Sequence, residues 1–147
     1  MENNLCKYAT AIYQNVMVGV QSIRDIEDKT EDKKLKKELT DECEEFNKIA
    51  KSVQKFANKN GFSLEENNFF EKSRLWLSVN MGTMFDKSSR HIAELMLIGS
   101  VMGLLTCYKD KYDHKDVSLE LDNIIADLEK TLENNFNNLK QFLKELD

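Results

Sequence analysis

The near-absence of helix-breaking residues constrains the fold more than any other feature of this chain. Its 147 residues include no proline and only five glycines. Sheets and long loops depend on both residue types at their turns, whereas helix interiors exclude them. The composition therefore predicts a fold that is almost entirely α-helical.

Apolar residues recur at spacings of three and four along most of the chain, which is the pattern of amphipathic helices. This pattern and the polar segments between the apolar stripes predict five helices, at about residues 3–28, 31–59, 64–85, 88–112 and 117–146. Thr30 is the expected N-cap of the second helix, and Ser88 is one of two candidate N-caps for the helix over 88–112. Gly61 suits the left-handed position that ends the second helix. No linker divides the chain, so residues 1–147 are expected to form a single helical-bundle domain.

Helix lengths restrict the topology of the bundle. The four long helices have about 25–30 residues each, or about 40 Å at 1.5 Å per residue. Short turns make the first pair and the last pair antiparallel hairpins, and a helical segment within residues 60–87 can carry the chain back along the bundle. The expected fold is an all-α, ferritin-like up-down four-helix bundle with an additional helical crossover between the second and third long helices. An antiparallel five-helix bundle satisfies the same lengths.

Charge and cysteine usage exclude several classes of function. The chain has 26 acidic and 21 basic residues and a net charge of -5, which disfavours nucleic acid or an anionic membrane as partner. Three cysteines without CxxC spacing predict neither a disulfide framework nor a zinc knuckle. The chain begins without a signal-peptide pattern, and its longest apolar run, residues 95–105, is too short to span a bilayer. We therefore expect a soluble cytoplasmic protein with no membrane contact.

The segment SSRHIAELMLIGSVMG, residues 88–103, holds the strongest candidates for a chemical site. Two-metal ferritin-like sites need a Glu-x-x-His motif on each of two helices. His91 and Glu94 form the reverse motif, and the second histidine, His114, lies in the turn before the last helix, so the two-metal site is missing. A single metal ion on His91, Glu94 and Glu42 is one alternative. The favoured interpretation is a polar network of His91 and Glu94 at one end of the core, with no cofactor.

A phosphohistidine role for His91 is disfavoured. Phosphotransfer domains place a lysine shortly after the histidine, where it steadies the phosphoryl group. Here Glu94 follows instead, and its carboxylate would repel the phosphoryl group. No nucleophile is paired with a histidine, and no glycine-rich loop could cradle phosphates. The sequence therefore predicts no catalytic residue.

Gly99 and Gly103 form a Gly-x-x-x-Gly pair on the helix over 88–112. Glycine inside a helix costs about 1 kcal/mol against alanine, so both positions need a packing reason. The favoured reason is a close crossing with another helix, near Gly19 of the first helix. Because the helix over 88–112 is apolar around so much of its surface, we expect it to be the most buried helix. A homodimer contact through this helix is the second interpretation.

Residues 80–103 resemble a family of small uncharacterised bacterial proteins of ferritin-like type. The matching residues are Asn80-Met81, Thr83, Asp86-Lys87-Ser88, His91-Ile92-Ala93-Glu94, Gly99-Ser100 and Met102-Gly103. The stretch QNVMVGVQSI, residues 14–23, is similar to the first helix of the same family. The resemblance implies the up-down bundle with a helical crossover and brings no assigned activity. The chain departs from ferritins at the metal-ligand positions.

Two classes of function follow from the sequence. The favoured class is a non-enzymatic cytoplasmic bundle that acts through protein contacts. The alternative is a metal-binding or metal-dependent redox protein of ferritin-like type, whose site is reduced or assembled between subunits.

Overall fold

The computed structural model describes residues 2–64 and 88–146, which form four α-helices and the segments that flank them. α1 spans Glu2–Glu27, α2 spans Lys33–Lys59, α3 spans Ser89–Asp113 and α4 spans Leu119–Glu145. Every regular element in these two ranges is a helix, which confirms the all-α four-helix prediction, and each bound falls within two residues of its predicted position. The predicted crossover helix over 64–85 lies outside the described residues apart from its first position.

Ion pairs between helices show that α2 and α4 are antiparallel. Lys34, near the start of α2, pairs with Glu145 at the end of α4. Lys59, at the end of α2, pairs with Glu120 at the start of α4, with 3.0 Å between Nζ and Oε2. The two helices therefore lie side by side along their whole length in opposite directions.

α1 and α3 are also antiparallel. Tyr8, near the start of α1, stacks on His114 just after the end of α3, with ring centroids 4.9 Å apart. Short turns at residues 28–32 and 114–118 join the α1–α2 and α3–α4 hairpins. α2 and α3 thus run in the same direction, as expected for a bundle with one long crossover, and they lie on a diagonal of the bundle.

The first turn of α2 is capped by a different residue from the predicted one. Asp32 is the N-cap, and its carboxylate accepts a hydrogen bond from the backbone N–H of Leu35 at 2.9 Å. Thr30 is buried and donates its hydroxyl to the carbonyl of Ile26 at 3.0 Å. The Thr30 prediction is wrong because that hydroxyl is engaged by the helix that precedes it.

Other predicted helix ends are confirmed. Ser88 is the N-cap of α3 and accepts a hydrogen bond from the N–H of His91 at 3.3 Å. Gly61 has a φ of 75°, the left-handed conformation that favours glycine after a helix. These two residues fix where α3 begins and where the chain leaves α2.

All four helices contribute to one apolar core. α1, α2 and α4 bury most of the stripes that periodicity predicts, and the large side chains without solvent exposure include Ile12, Val16, Ile23, Leu35, Leu39, Leu121, Ile125, Leu128 and Leu139. α3 adds Ile92, Ala93, Leu95, Met96 and Cys107. The core therefore runs through the centre of the bundle between the two hairpins.

Two glycines lie at close helix contacts, but not with each other. A Cβ built on Gly103 would lie 2.9 Å from a methyl carbon of Leu132 on α4. A Cβ on Gly19 would lie 2.7 Å from the ring of Phe46 on α2. Gly103 contacts α1 one helical turn from Gly19, where Asn15 donates to its carbonyl at 3.1 Å, while each glycine makes room for a large side chain of a different neighbouring helix.

Gly99 differs from Gly103. A Cβ on Gly99 would meet no atom within 4 Å among the residues that the structure describes, and the position is exposed. The prediction that both glycines of the pair face a neighbouring helix at close range is therefore confirmed for Gly103, whereas none of the described helices lies at close range to Gly99.

Candidate interaction surface

Beyond the buried Ile92, Leu95 and Met96 of its first turns, α3 packs small residues inward and leaves large ones in solvent. Ala93, Ser100, Gly103 and Cys107 all lie on its buried face. Their small side chains let the α3 backbone approach the neighbouring helices. The prediction that α3 is the most buried helix is wrong, because its opposite face carries large apolar side chains exposed to solvent.

We define the α3 stripe as the exposed apolar residues of that face. Its members are Ile98, Val101, Met102, Leu105, Tyr108 and Tyr112, which are between 39% and 83% exposed. Positions 98, 101, 105, 108 and 112 follow a strict three-four-three-four spacing, the pattern of a coiled-coil seam. Met102 widens the stripe in its middle. The stripe spans about 21 Å at 1.5 Å per residue.

The apolar area of the stripe is large for a protein of this size. At about 200 Å² for a fully exposed large side chain, the six residues present roughly 650 Å² at their observed exposures. The largest apolar patch on a typical monomer is about 300–600 Å² and is often functional. The stripe therefore has the size of a protein contact surface.

One charged pair precedes the stripe, and a second flanks its last turn. Near the start of α3, Arg90 Nε lies 3.0 Å from Glu94 Oε1. Near its end, Lys109 Nζ lies 2.9 Å from Asp113 Oδ2. An apolar centre with a polar rim is the usual anatomy of a protein–protein interface.

His91 and Glu94, the predicted polar pair, lie at the surface. Nδ1 of His91 is 3.4 Å from Oε2 of Glu94, and the two side chains are 29% and 40% exposed. The predicted network at one end of the core is therefore wrong in its burial. α3 is rotated so that Ile92, Ala93 and Met96 lie on the face that packs into the core. His91 and Glu94 are therefore left at the edge of that face.

The third metal candidate, Glu42, does not join the other two. It lies on the buried face of α2 at 3% exposure. Within residues 2–64 and 88–146, no three His, Cys, Asp or Glu side chains come close enough to hold a metal ion. The structure therefore brings His91 and Glu94 together and leaves Glu42 apart from them.

Glu42 is the most strongly perturbed acid of the described chain. Burial, and to a lesser extent the nearby Glu38 carboxylate, raises its pKa to about 9. Oε2 of Glu42 has no hydrogen-bond partner among the described residues. Glu38 itself accepts a hydrogen bond from Asn138 of α4 at 2.9 Å. Glu42 is thus protonated at neutral pH, and a neutral carboxyl is a poor ligand for a cation.

Other polar contacts between helices were not predicted from the sequence. Asn15 donates to the carbonyl of Gly103 at 3.1 Å, and the Tyr8 hydroxyl donates to Asp122 at 2.7 Å. Asp110 is buried on α3, and burial raises its pKa to about 6. Single polar residues on three different helices give no local spacing signal, so no motif search could find them.

By length and composition alone, α3 could cross a membrane. An 18-residue window of Ser89–Asp113 has a mean hydropathy of 1.5, and 33% of that window is buried in the bundle. The prediction from the sequence that no segment spans a bilayer was based on the length of the apolar run at 95–105 alone. The mean hydropathy is taken over 18 residues of the helix and therefore includes polar residues between the apolar ones. Among the described helices, this is the one that meets the criterion.

Neither a protein-family model, nor a curated protein, nor a solved structure matches this chain. The resemblance of residues 80–103 to ferritin-like proteins therefore stays a prediction, and residues 80–87 of it lie outside the described chain. The arguments for function depend on the geometry of α3.

Proposed function

We propose that this chain is a protein-binding helical bundle whose contact surface is the α3 stripe. The observation that carries the proposal is the heptad-spaced row of large apolar side chains on the exposed face of α3. A fully buried side chain of this kind gains about 1.5–3 kcal/mol over an exposed one. A protein that covers the stripe recovers the part of that free energy that corresponds to the exposed fraction of each residue it buries.

The spacing of the stripe favours a helical partner. Residues at i, i+3, i+7, i+10 and i+14 are the anchors through which two helices pack along a common seam. Tyr108 and Tyr112 add flat rings with a polar tip, a combination enriched in protein interfaces. The proposed occupant is therefore an amphipathic helix.

A protein contact is favoured over a membrane contact by the surroundings of α3. The inner face of the helix is packed against α1 and α4, and it includes the buried acid Asp110. The stripe itself spans about 21 Å, shorter than the roughly 30 Å of a bilayer core. We propose further that the protein is non-enzymatic and cytoplasmic. The described residues add no observation in favour of the metal-binding alternative.

Photo-crosslinking in the organism that makes the protein tests this function. A photoreactive amino acid in place of Leu105, at the middle of the stripe, should form discrete adducts with a protein that mass spectrometry identifies. The matched control is the same substitution at Leu119, an apolar residue of α4 that is 77% exposed and lies off the stripe. Adducts at Leu105 with lipid alone, or equal protein adducts at both positions, would overturn the proposal.

A further inference from the structure

We infer that the occupant of the α3 stripe is a second copy of this chain, packed antiparallel so that Leu105 faces Leu105 across a two-fold axis. This inference rests on the proposed function and names the partner for the same surface. In this arrangement Ile98 of one copy faces Tyr112 of the other, and Val101 faces Tyr108.

The apolar area of the stripe matches what a stable dimer needs. A standard protein interface buries about 800 Å² per partner, of which a little more than half is apolar. The stripe supplies roughly 650 Å² of apolar surface from one helix face, using the side-chain areas of large residues. Two identical stripes therefore provide enough contact without any other part of the molecule, and a two-fold axis closes the assembly at two copies.

The sizes of the side chains favour the antiparallel direction. The end of the stripe near Ile98 and Val101 is aliphatic and narrow, whereas the end at Tyr108 and Tyr112 is wide. An antiparallel pair places each wide end against a narrow end, so the two helix axes keep an even separation. A parallel pair would place the tyrosine ends against each other and spread the helices at that end.

Sedimentation analysis of the purified full-length chain tests self-association. The wild type should be a dimer that dissociates on dilution, and Leu105→Glu should raise the dissociation constant at least tenfold, because it sets two carboxylates against each other at the centre of the interface. Leu119→Glu is the control and should leave the dissociation constant unchanged. Melting of each variant under monomeric conditions verifies that the fold is intact.

A charge swap within one chain tests the direction. Ile98→Glu alone should raise the dissociation constant, and so should Tyr112→Lys alone. Combined in one chain, the two substitutions face each other with opposite charge in an antiparallel dimer, so the double variant should associate more tightly than either single variant. A parallel dimer sets like against like at both positions, so a double variant weaker than either single variant would overturn the antiparallel inference.

Failure of the dimer and failure of the proposed function are distinguishable. A chain that is monomeric at all concentrations overturns the inference. If Leu105→Glu also lowers the melting temperature of that monomer, the occupant of the stripe is residues 65–87 of the same chain. A monomer whose Leu105 adducts in the cell contain a different protein overturns the inference and leaves the proposed function intact. Binding of the monomer to anionic vesicles, lost in Leu105→Glu, overturns both.

Discussion

Replacement of Glu42 by glutamine should stabilise the fold and remove a steep dependence of stability on pH. Glu42 is buried on α2, and burial raises its pKa from 4.5 to about 9. Glutamine has nearly the same shape, and its amide can donate to the Glu38 carboxylate as a protonated carboxyl would. The substitution therefore removes the titration with little change in packing.

The magnitude follows from the two pKa values. Between pH 4.5 and about 9 the folded chain keeps a proton on Glu42 that the unfolded chain has lost. The contribution of Glu42 to stability is therefore greatest below pH 4.5 and falls as pH rises toward 9, by about 1.4 kcal/mol per pH unit. At pH 7 the loss is about 3 kcal/mol, which is a large part of the 5–15 kcal/mol that a domain of this size has. Glu42→Gln should recover most of it.

Urea unfolding at pH 7.0, 7.75 and 8.5 measures this effect, at one low protein concentration so that any dimer does not contribute. This pH range lies above the titration range of Asp110, whose pKa is raised to about 6. It lies below that of Cys107, whose pKa is raised from 9.0 to about 12. Wild type should lose stability across the window, and Glu42→Gln should not. The exposed Glu44→Gln on the same helix is the control and should follow wild type. Equal pH slopes for wild type and Glu42→Gln would refute the reasoning.

Three further predictions concern packing, capping and metal binding. Gly103→Leu places a side chain where α4 already packs and should cost about 1–3 kcal/mol of stability. Gly99→Ala, in contrast, should raise the stability of the monomer by up to about 1 kcal/mol. Equal losses of melting temperature in the two variants would contradict the packing. Asp32→Ala removes the N-cap acceptor of α2 and should cost about 1 kcal/mol in urea unfolding, and an unchanged midpoint would count against the cap. His91→Ala should cost less than about 1 kcal/mol because its pair with Glu94 is partly exposed. Iron, manganese or zinc should leave the wild-type melting temperature unchanged, and a metal-dependent rise that disappears in His91→Ala would support the metal-binding alternative.

The buried faces of three of the four described helices could be predicted from the sequence because each of these helices has one apolar face. In α1, α2 and α4 the residues at spacings of three and four are the ones that the structure buries, as Ile12, Leu39 and Leu128 illustrate. The periodicity is a local property, and burial follows it when one face alone is apolar. The ends of these helices were predicted to within two residues for the same local reason.

The orientation of α3 could not be predicted, because the helix is apolar on two faces. Its first turns bury large residues such as Ile92 and Met96, whereas farther along the buried side is made of small residues such as Ser100 and Gly103 and the exposed side of large ones such as Leu105. In that second part of the helix, hydrophobicity alone favours the large residues as the core face, which is the opposite of what the structure shows. The interleaving of a small-residue row with a heptad-spaced large-residue row was the signal available in the sequence.

The candidate chemical site was predicted only in its local part. His91 and Glu94 are one helical turn apart, so their contact follows from spacing alone. Whether Glu42 joins them depends on which helices lie on a diagonal and how each is rotated, and no local pattern carries that information. The perturbed pKa of Glu42 has the same origin, since it comes from burial by neighbouring helices.

The packing at Gly103 favours the observed rotation of α3. A Cβ built at this position would lie 2.9 Å from a methyl carbon of Leu132, so a larger side chain fits only if Leu132 moves. A half-turn of α3 would also break the hydrogen bond from Asn15 to the Gly103 carbonyl. Overpacking of a filled core position costs typically about 1–3 kcal/mol. We therefore expect folded stability to depend on Gly103, and we propose that association depends on the stripe, which the described residues leave in solvent.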